Sequence, residues 1–156
     1  MNNVMLKLSY CGAKKMVINK FEGFYDFLSN FYFTTIKYEG IYYPSVEHAY
    51  QAAKTLDEEK REEIANARTS SDAKKMGKKL KLRPDWEEVK LQIMEELLRI
   101  KFSNRKLRVK LLSTGNQELI EGNWWNDTFW GVCRGVGQNN LGKLLMKLRE
   151  EYRKEI

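Results

Sequence analysis

Histidine is almost missing from this chain: among 156 residues there is one, His48, with two cysteines and two prolines. The cysteines, Cys11 and Cys133, lie far apart and form no CxxC spacing, so the chain has no Cys/His set of the kind that binds zinc. Two isolated thiols fit a reducing compartment. No run of apolar residues approaches the length of a membrane span, and the stretch from Met1 to Met16 lacks the apolar core of a signal peptide. A cytoplasmic protein with no membrane contact is expected. Without a Gly/Ser-rich or Pro-rich linker or an internal repeat, residues 1–156 read as a single domain.

Charge is present in quantity and biased. Twenty-eight basic residues against 21 acidic ones give a net charge of +7, which attracts polyanions. The excess is concentrated in KKMGKKLKLR, residues 74–83, and again between Arg99 and Lys110. For any single lysine the default is a solvated helix face. Together the two stretches point to an anionic substrate or a nucleic acid, held through phosphate contacts.

Aromatic and β-branched residues crowd residues 31–43 around Glu39-Gly40, which reads as a hairpin, and a short strand is expected at Val17 to Asn19. Ser45 is placed to cap a helix after Pro44. Periodicity and capping residues predict further helices near 57–67, 71–80, 85–102 and 104–113, and a last amphipathic helix capped by Asn139-Asn140. Residues 116–137, rich in Gly and Trp, read as irregular. The sum is an α+β domain, rich in helix, around a small β-sheet.

Three stretches carry candidate chemistry. In PSVEHAYQAAKT, helical spacing places Glu47, Gln51 and Lys54 within one narrow arc, between apolar neighbours. Such a stripe is either a solvated face or an active-site face; a buried one needs partners or a ligand. In NWWNDTFWGVCRGVGQNNLG, Trp124, Trp125 and Trp130 fall within seven residues, and Asp127 stands among them. They form either a tryptophan-anchored core or a pocket that stacks on a flat ring. Gly135, Gly137 and Gly142 allow close backbone approach, and the amides opening the last helix offer a phosphate site. In GFYDFLSNFY, Ser29 and Asn30 are turn formers by default, or present hydrogen-bonding groups to a pocket rimmed by Phe27, Phe31 and Tyr32.

The segments FLSNFY, PSVEHAYQAAK, RPDW, LLSTGNQELIE, the D-x-x-WG of residues 127–131 and GQNNLGKLLMKLR occur in this order between about Phe21 and Arg149. Together they resemble the NADAR superfamily. The resemblance implies an α+β fold without metal or cofactor, a pocket for ADP-ribose-like or phosphorylated ribosyl ligands, and N-glycosidase activity. Two family activities are implied: removal of ADP-ribose from guanine bases in nucleic acid, through a lysine Schiff base, and hydrolysis of ribosylamino-pyrimidine phosphates of the riboflavin pathway. The first is the leading expectation, because of the basic stretches. A non-catalytic ADP-ribose or NAD reader and a plain nucleic-acid module are the other classes. Carried over by position, the resemblance implies Glu47, Lys54 and Asp127 as catalytic residues. For substrate binding it implies Ser29, Asn30, Phe31, His48, Gln51, Trp86, Trp125, Trp130, Gly131 and Asn139. The unusual WWND before TFWG leaves open which tryptophan lines the pocket.

Overall fold

A computed structural model describes residues 16–156; Cys11 therefore lies outside the described residues. In chain order the elements are β1 (Val17–Ile18), a 3-10 helix (Gly23–Leu28), β2 (Ile36–Tyr38), β3 (Ile41–Tyr43), α1 (Val46–Ala53), α2 (Glu58–Ala65) and α3 (Ser70–Lys78). There follow α4 (Trp86–Phe102), α5 (Arg105–Ser113), β4 (Glu118–Leu119), β5 (Gly122–Asn123), β6 (Val132–Cys133) and α6 (Asn140–Lys154). The fold is α+β and helix-rich, and no helix among the described residues is long and apolar enough to cross a membrane.

Four of the six α-helices among the described residues start where a short polar side chain satisfies their first amides. Ser45 accepts from the His48 amide, Asp57 from Glu59 and Lys60, Thr69 from Asp72, and Asn104 from Lys106 and Leu107. The exceptions are Asp85 at α4, whose carboxylate accepts from Arg83 instead, and Asn139. Asn139 occupies the start of α6 in a left-handed conformation and makes no side-chain cap. Its side chain turns back instead, Nδ2 donating to Leu119 O at 2.9 Å and Oδ1 accepting from Glu121 N at 3.0 Å.

The strands depart from the single small sheet expected. Among the described residues they form three separate pairs: β2 with β3 antiparallel, β1 with β4 parallel, and β5 with β6 parallel. The hairpin turns at Glu39-Gly40, both with positive φ, but its strands begin only at Ile36. The segment 116–137, expected to be irregular, holds three two-residue strands. Two of the pairs join segments about a hundred and about ten residues apart, so no local alternation announces them.

α1 is the centre of the molecule. All eight of its residues are buried, packed against α2, α3 and α4. Ile36, Val46, Ala49, Ala53, Leu97, Leu98, Phe102, Leu111, Leu145 and Leu148 form the core around it, each fully or almost fully removed from water. A polar stripe on so buried a helix is costly unless it opens onto a cavity.

Candidate active site

It does open onto one. A cavity of about 620 Å³ lies against α1 and is walled by α3, the Ser29–Phe31 segment and the loop after β4. That volume is in the range of small-molecule sites. Glu47, Gln51 and Lys54 line it from α1 and its C-terminal cap, on the one face that helical spacing gives them.

Glu47 is the most desolvated acid of the site. Gln51 Nε2 donates to its Oε1 at 2.7 Å. Burial raises its pKa, and the Gln51 hydrogen bond and the charges of Lys74 and Lys54 only partly oppose this. The carboxyl is thus biased toward its protonated form. Lys54 shows the mirror image. Burial lowers its pKa and the Glu47 charge opposes the shift, so its amine is biased toward the neutral, nucleophilic form. Its Nζ stands 5.7 Å from the centre of the Tyr50 ring.

Gln51 keeps its place because residue 77 is glycine: a Cβ there would overlap Gln51 Oε1. The Ser29–Phe31 segment is fastened by three helices through three consecutive carbonyls. Lys101 Nζ of α4 donates to Ser29 O at 2.8 Å, Glu47 N of α1 to Asn30 O at 3.0 Å, and Ser70 Oγ of α3 to Phe31 O at 2.9 Å. The segment is a turn that also faces the cavity, but of the three aromatics expected at the rim only Phe31 lines it: Phe27 lies in the core and Tyr32 does not reach the cavity. Ser29 Oγ accepts from Phe31 N in a tight turn, while Ser29, Asn30 and Phe31 all line the cavity. Asn30 Oδ1 is buried with no hydrogen-bond partner.

The aromatic wall comes from the Trp-rich loop. Trp124, Trp125 and Trp130 all line the cavity; Trp124 is largely exposed at its mouth and Trp130 is deeper. Trp130 Nε1 donates to Tyr50 OH at 3.2 Å, and the two rings meet edge to face. Asp127 lines the cavity with one carboxylate oxygen committed to the loop, accepting from Phe129 N and Trp130 N.

Four expected binding residues do not reach the cavity. His48 is fully buried on the far side of α1, where Nε2 faces Ala67 O at 3.0 Å and Nδ1 faces Ser45 Oγ at 2.6 Å. A carbonyl only accepts, so Nε2 carries the proton and Nδ1 accepts from the serine. Burial lowers the His48 pKa and keeps it neutral. Trp86 stands behind Tyr50, ring centres 5.1 Å apart, as a buried support. Gly131 is buried and leaves the room that the Glu121 carboxylate fills. Asn139 ties β4 to the chain entering β5, as described above. The phosphate site expected at the start of α6 is also absent: the amides of Asn139, Asn140 and Leu141 are taken by the carbonyls of Gly131, Phe129 and Trp130.

Three site groups escaped the sequence. Glu121 lines the cavity, half-buried, and burial pushes its pKa up to about 7. Tyr50, one of the apolar neighbours of the helix stripe, lines the cavity too. Lys74 and Lys78 had appeared only as part of a basic run. With Ser71 they occupy positions i, i+3 and i+7 of α3 and turn one face of that helix into a cationic wall. Lys74 Nζ lies 5.2 Å from the centre of the Trp125 ring and 5.9 Å from that of Phe31. The second basic stretch is different. Arg99 pairs with Glu95 and Glu151, Arg108 with Glu155, and Lys101 is buried.

The NADAR domain family model matches residues 18–153. The chain belongs to the NADAR family. It is similar to N-glycosidase YbiA of Escherichia coli K12, 44% identical over 131 residues, which cover 81% of each chain. A riboflavin biosynthesis protein of Vibrio vulnificus is 37% identical over 131 residues, and the match covers 81% of this chain and 35% of that longer one. Among solved structures, the NMR structure of E. coli YbiA superposes with a TM-score of 0.80 at 41% identity, covering 92% of this chain and 88% of the other.

Proposed function

We propose that this NADAR protein is an N-glycosyl hydrolase, and that its substrate is a ribosylamino-pyrimidine phosphate of the kind met in riboflavin biosynthesis. The observation that carries the activity is the pairing, in one cavity, of an acid and an amine that burial biases toward their neutral forms. Cleaving an N-glycosidic bond requires a proton for the departing nitrogen, and a protonated Glu47 supplies it. The names of the relatives, N-glycosidase and riboflavin biosynthesis protein, support both the reaction and the substrate class. Lys74, Lys78 and Ser71 suit a phosphate at one end of the cavity, and the aromatic wall suits a flat ring.

A second reading, removal of ADP-ribose from guanine in nucleic acid, is favoured by Lys54. An opened ribose presents an aldehyde-level carbon at C1′, and a neutral amine attacks it to form a Schiff base. The weaker support is the surface: of the two basic stretches, one has half of its basic residues, Arg99, Lys101 and Arg108, taken up by ion pairs or burial.

One experiment separates the two readings. The protein is incubated with ribosylamino-pyrimidine phosphates and, separately, with DNA carrying ADP-ribosylated guanine, and released base is read by mass. Release from the small phosphates alone supports the first reading, and release from DNA alone the second. Borohydride added during turnover traps a lysine adduct in the parent and none in Lys54→Ala if the amine is covalent. A Lys54→Ala variant with near-parental turnover removes the Schiff base from either route.

A further inference from the structure

The cavity holds a closely fixed acid to which neither the helix stripe nor the relatives assign a role. Glu121 sits just after β4, and its main chain is held on both sides: its amide donates to Asn139 Oδ1 at 3.0 Å, and its carbonyl accepts from Val132 N at 2.8 Å. Its carboxylate is aimed by two further devices. Asn123 Nδ2 donates to Oε2 at 3.0 Å, and the space occupied by Oε2 exists only because residue 131 lacks a Cβ. A carboxylate fixed so closely, half-buried and lining the same cavity as Glu47, is arranged to act on something in that cavity.

Hydrolysis of an N-glycoside needs two proton transfers. The departing nitrogen must gain a proton, and the attacking water must lose one. Glu47 meets the first need, and its protonated form cannot meet the second in the same step. We propose that Glu121 is the second acid–base group of this site, its carboxylate taking the proton of the water that attacks C1′ while Glu47 protonates the departing nitrogen. This role rests on the N-glycosidase reading. The water oxygen bonds to C1′, one of its protons passes to Glu121, and the C1′–N bond breaks with its electron pair going to nitrogen. Nitrogen takes the Glu47 proton, and the two carboxyls return to their starting states by passing one proton from Glu121 to Glu47 through solvent. The same water step would resolve a Lys54 adduct, so the role does not depend on whether the amine is covalent.

The groups facing Glu121 set its titration. Glu47 on α1 and Asp127 in the Trp-rich loop disfavour its charge, while Lys74 on α3 and the Asn123 amide favour it; burial outweighs them and holds the carboxyl at about 7. Lys54, Lys78 and Glu22 line the same cavity. As a base, Glu121 must be ionised, so kcat/KM should fall as pH drops through the region of 7.

The test uses the full chain, with Glu121→Gln, Glu121→Asp and Glu121→Ala assayed on whichever substrate the parent cleaves. Glu121→Gln should lose roughly a hundredfold or more in kcat with KM little changed, and its pH profile should lose the acid limb near 7. Formate should restore part of the turnover of Glu121→Ala, which a merely structural role would not allow. Binding of the ribose phosphate product, measured by calorimetry, should match the parent in Glu121→Gln and so certify its fold. Near-parental kcat in Glu121→Gln overturns the proposal, as does an acid limb that stays in place. Equal losses in product binding and turnover overturn it in favour of a ligand-holding role. A parent that releases no base from any substrate overturns the N-glycosidase reading itself, and is recognised in the parent arm alone.

Discussion

Lys101 should make this protein less stable below neutral pH than it is above, and replacing it with methionine should reverse that penalty. Its side chain is 1% exposed; Nζ donates to Ser29 O and lies near the Tyr32 and Phe102 rings. Burial lowers its pKa from 10.5 to about 7, with Asp26 opposing weakly. A depression of that size corresponds to about 5 kcal/mol of cost to the charged form, with no solvent to screen it. In the unfolded chain the amine holds its proton to near 10.5, and in the folded chain it releases it near 7. Between those values the unfolded state binds more protons, so stability rises with pH; below 7 both states are charged and the full cost remains. Lys101→Met removes the charge and keeps most of the volume, but leaves the Ser29 carbonyl without its donor, at about 1–3 kcal/mol. The net gain should be about 2–4 kcal/mol at pH 6.5, or roughly 5–10 °C in Tm for a chain of this size. By pH 10 the folded lysine is neutral and the advantage of methionine should have disappeared. Urea denaturation of both proteins at pH 6.5, 8 and 10 measures the difference. A gap that stays constant with pH would refute the buried-charge argument, whatever its sign.

Two further outcomes concern the cavity. Glu47→Gln keeps the shape of the side chain and removes its proton, so folding and product binding should stay near parental while turnover falls by roughly a hundredfold or more; equal losses of affinity and turnover would instead mark Glu47 as a ligand-orienting group. Reversing the cationic wall with Lys74→Glu and Lys78→Glu should raise KM about tenfold or more on a phosphorylated substrate, since each lysine is placed for a charge-assisted bond, and should flatten the salt dependence of KM. An unchanged KM with an unchanged salt response would remove the phosphate from that wall.

Helices were legible because their signals are local. Ser45, Asp57, Thr69 and Asn104 each cap the helix that their chemistry announces. The hairpin and the short strand at Val17–Ile18 were legible too, but β4, β5 and β6 were not, because a two-residue strand has no alternation to read. Nor was the pairing, because it is chosen by tertiary packing: Val17 and Ile18 pair with Glu118 and Leu119, about a hundred residues along the chain. The basic stretch from Arg99 to Lys110 carries less free charge than its sequence suggests, for a related reason. Its counter-charges, Glu151 and Glu155, belong to α6, far along the chain. Periodicity did hold a warning, since Met94, Leu97, Leu98, Lys101 and Phe102 recur at helical spacing and put Lys101 on the core face of α4.

At the site, the sequence displays the reacting groups more readily than the environment that makes them reactive. Glu47, Gln51 and Lys54 stand on one face by spacing alone, but a stripe of polar residues reads the same whether it faces water or a cavity. What decides the matter comes from elsewhere in the chain. Gly77 of α3 leaves room for the Gln51 amide that steadies Glu47, and Gly131 leaves room for the carboxylate of Glu121. His48 shows the opposite error: it sits beside Glu47 in sequence, yet one residue of helix turns it about 100° away, into the Ser45 and Ala67 contacts behind the wall. A glycine whose absent Cβ is filled by another residue's functional group leaves no trace in local pattern. The two carboxyls are therefore set by what neighbouring helices and loops omit, and that is why the second of them, Glu121, became visible only when β4, the Trp-rich loop and α1 were seen to share a cavity.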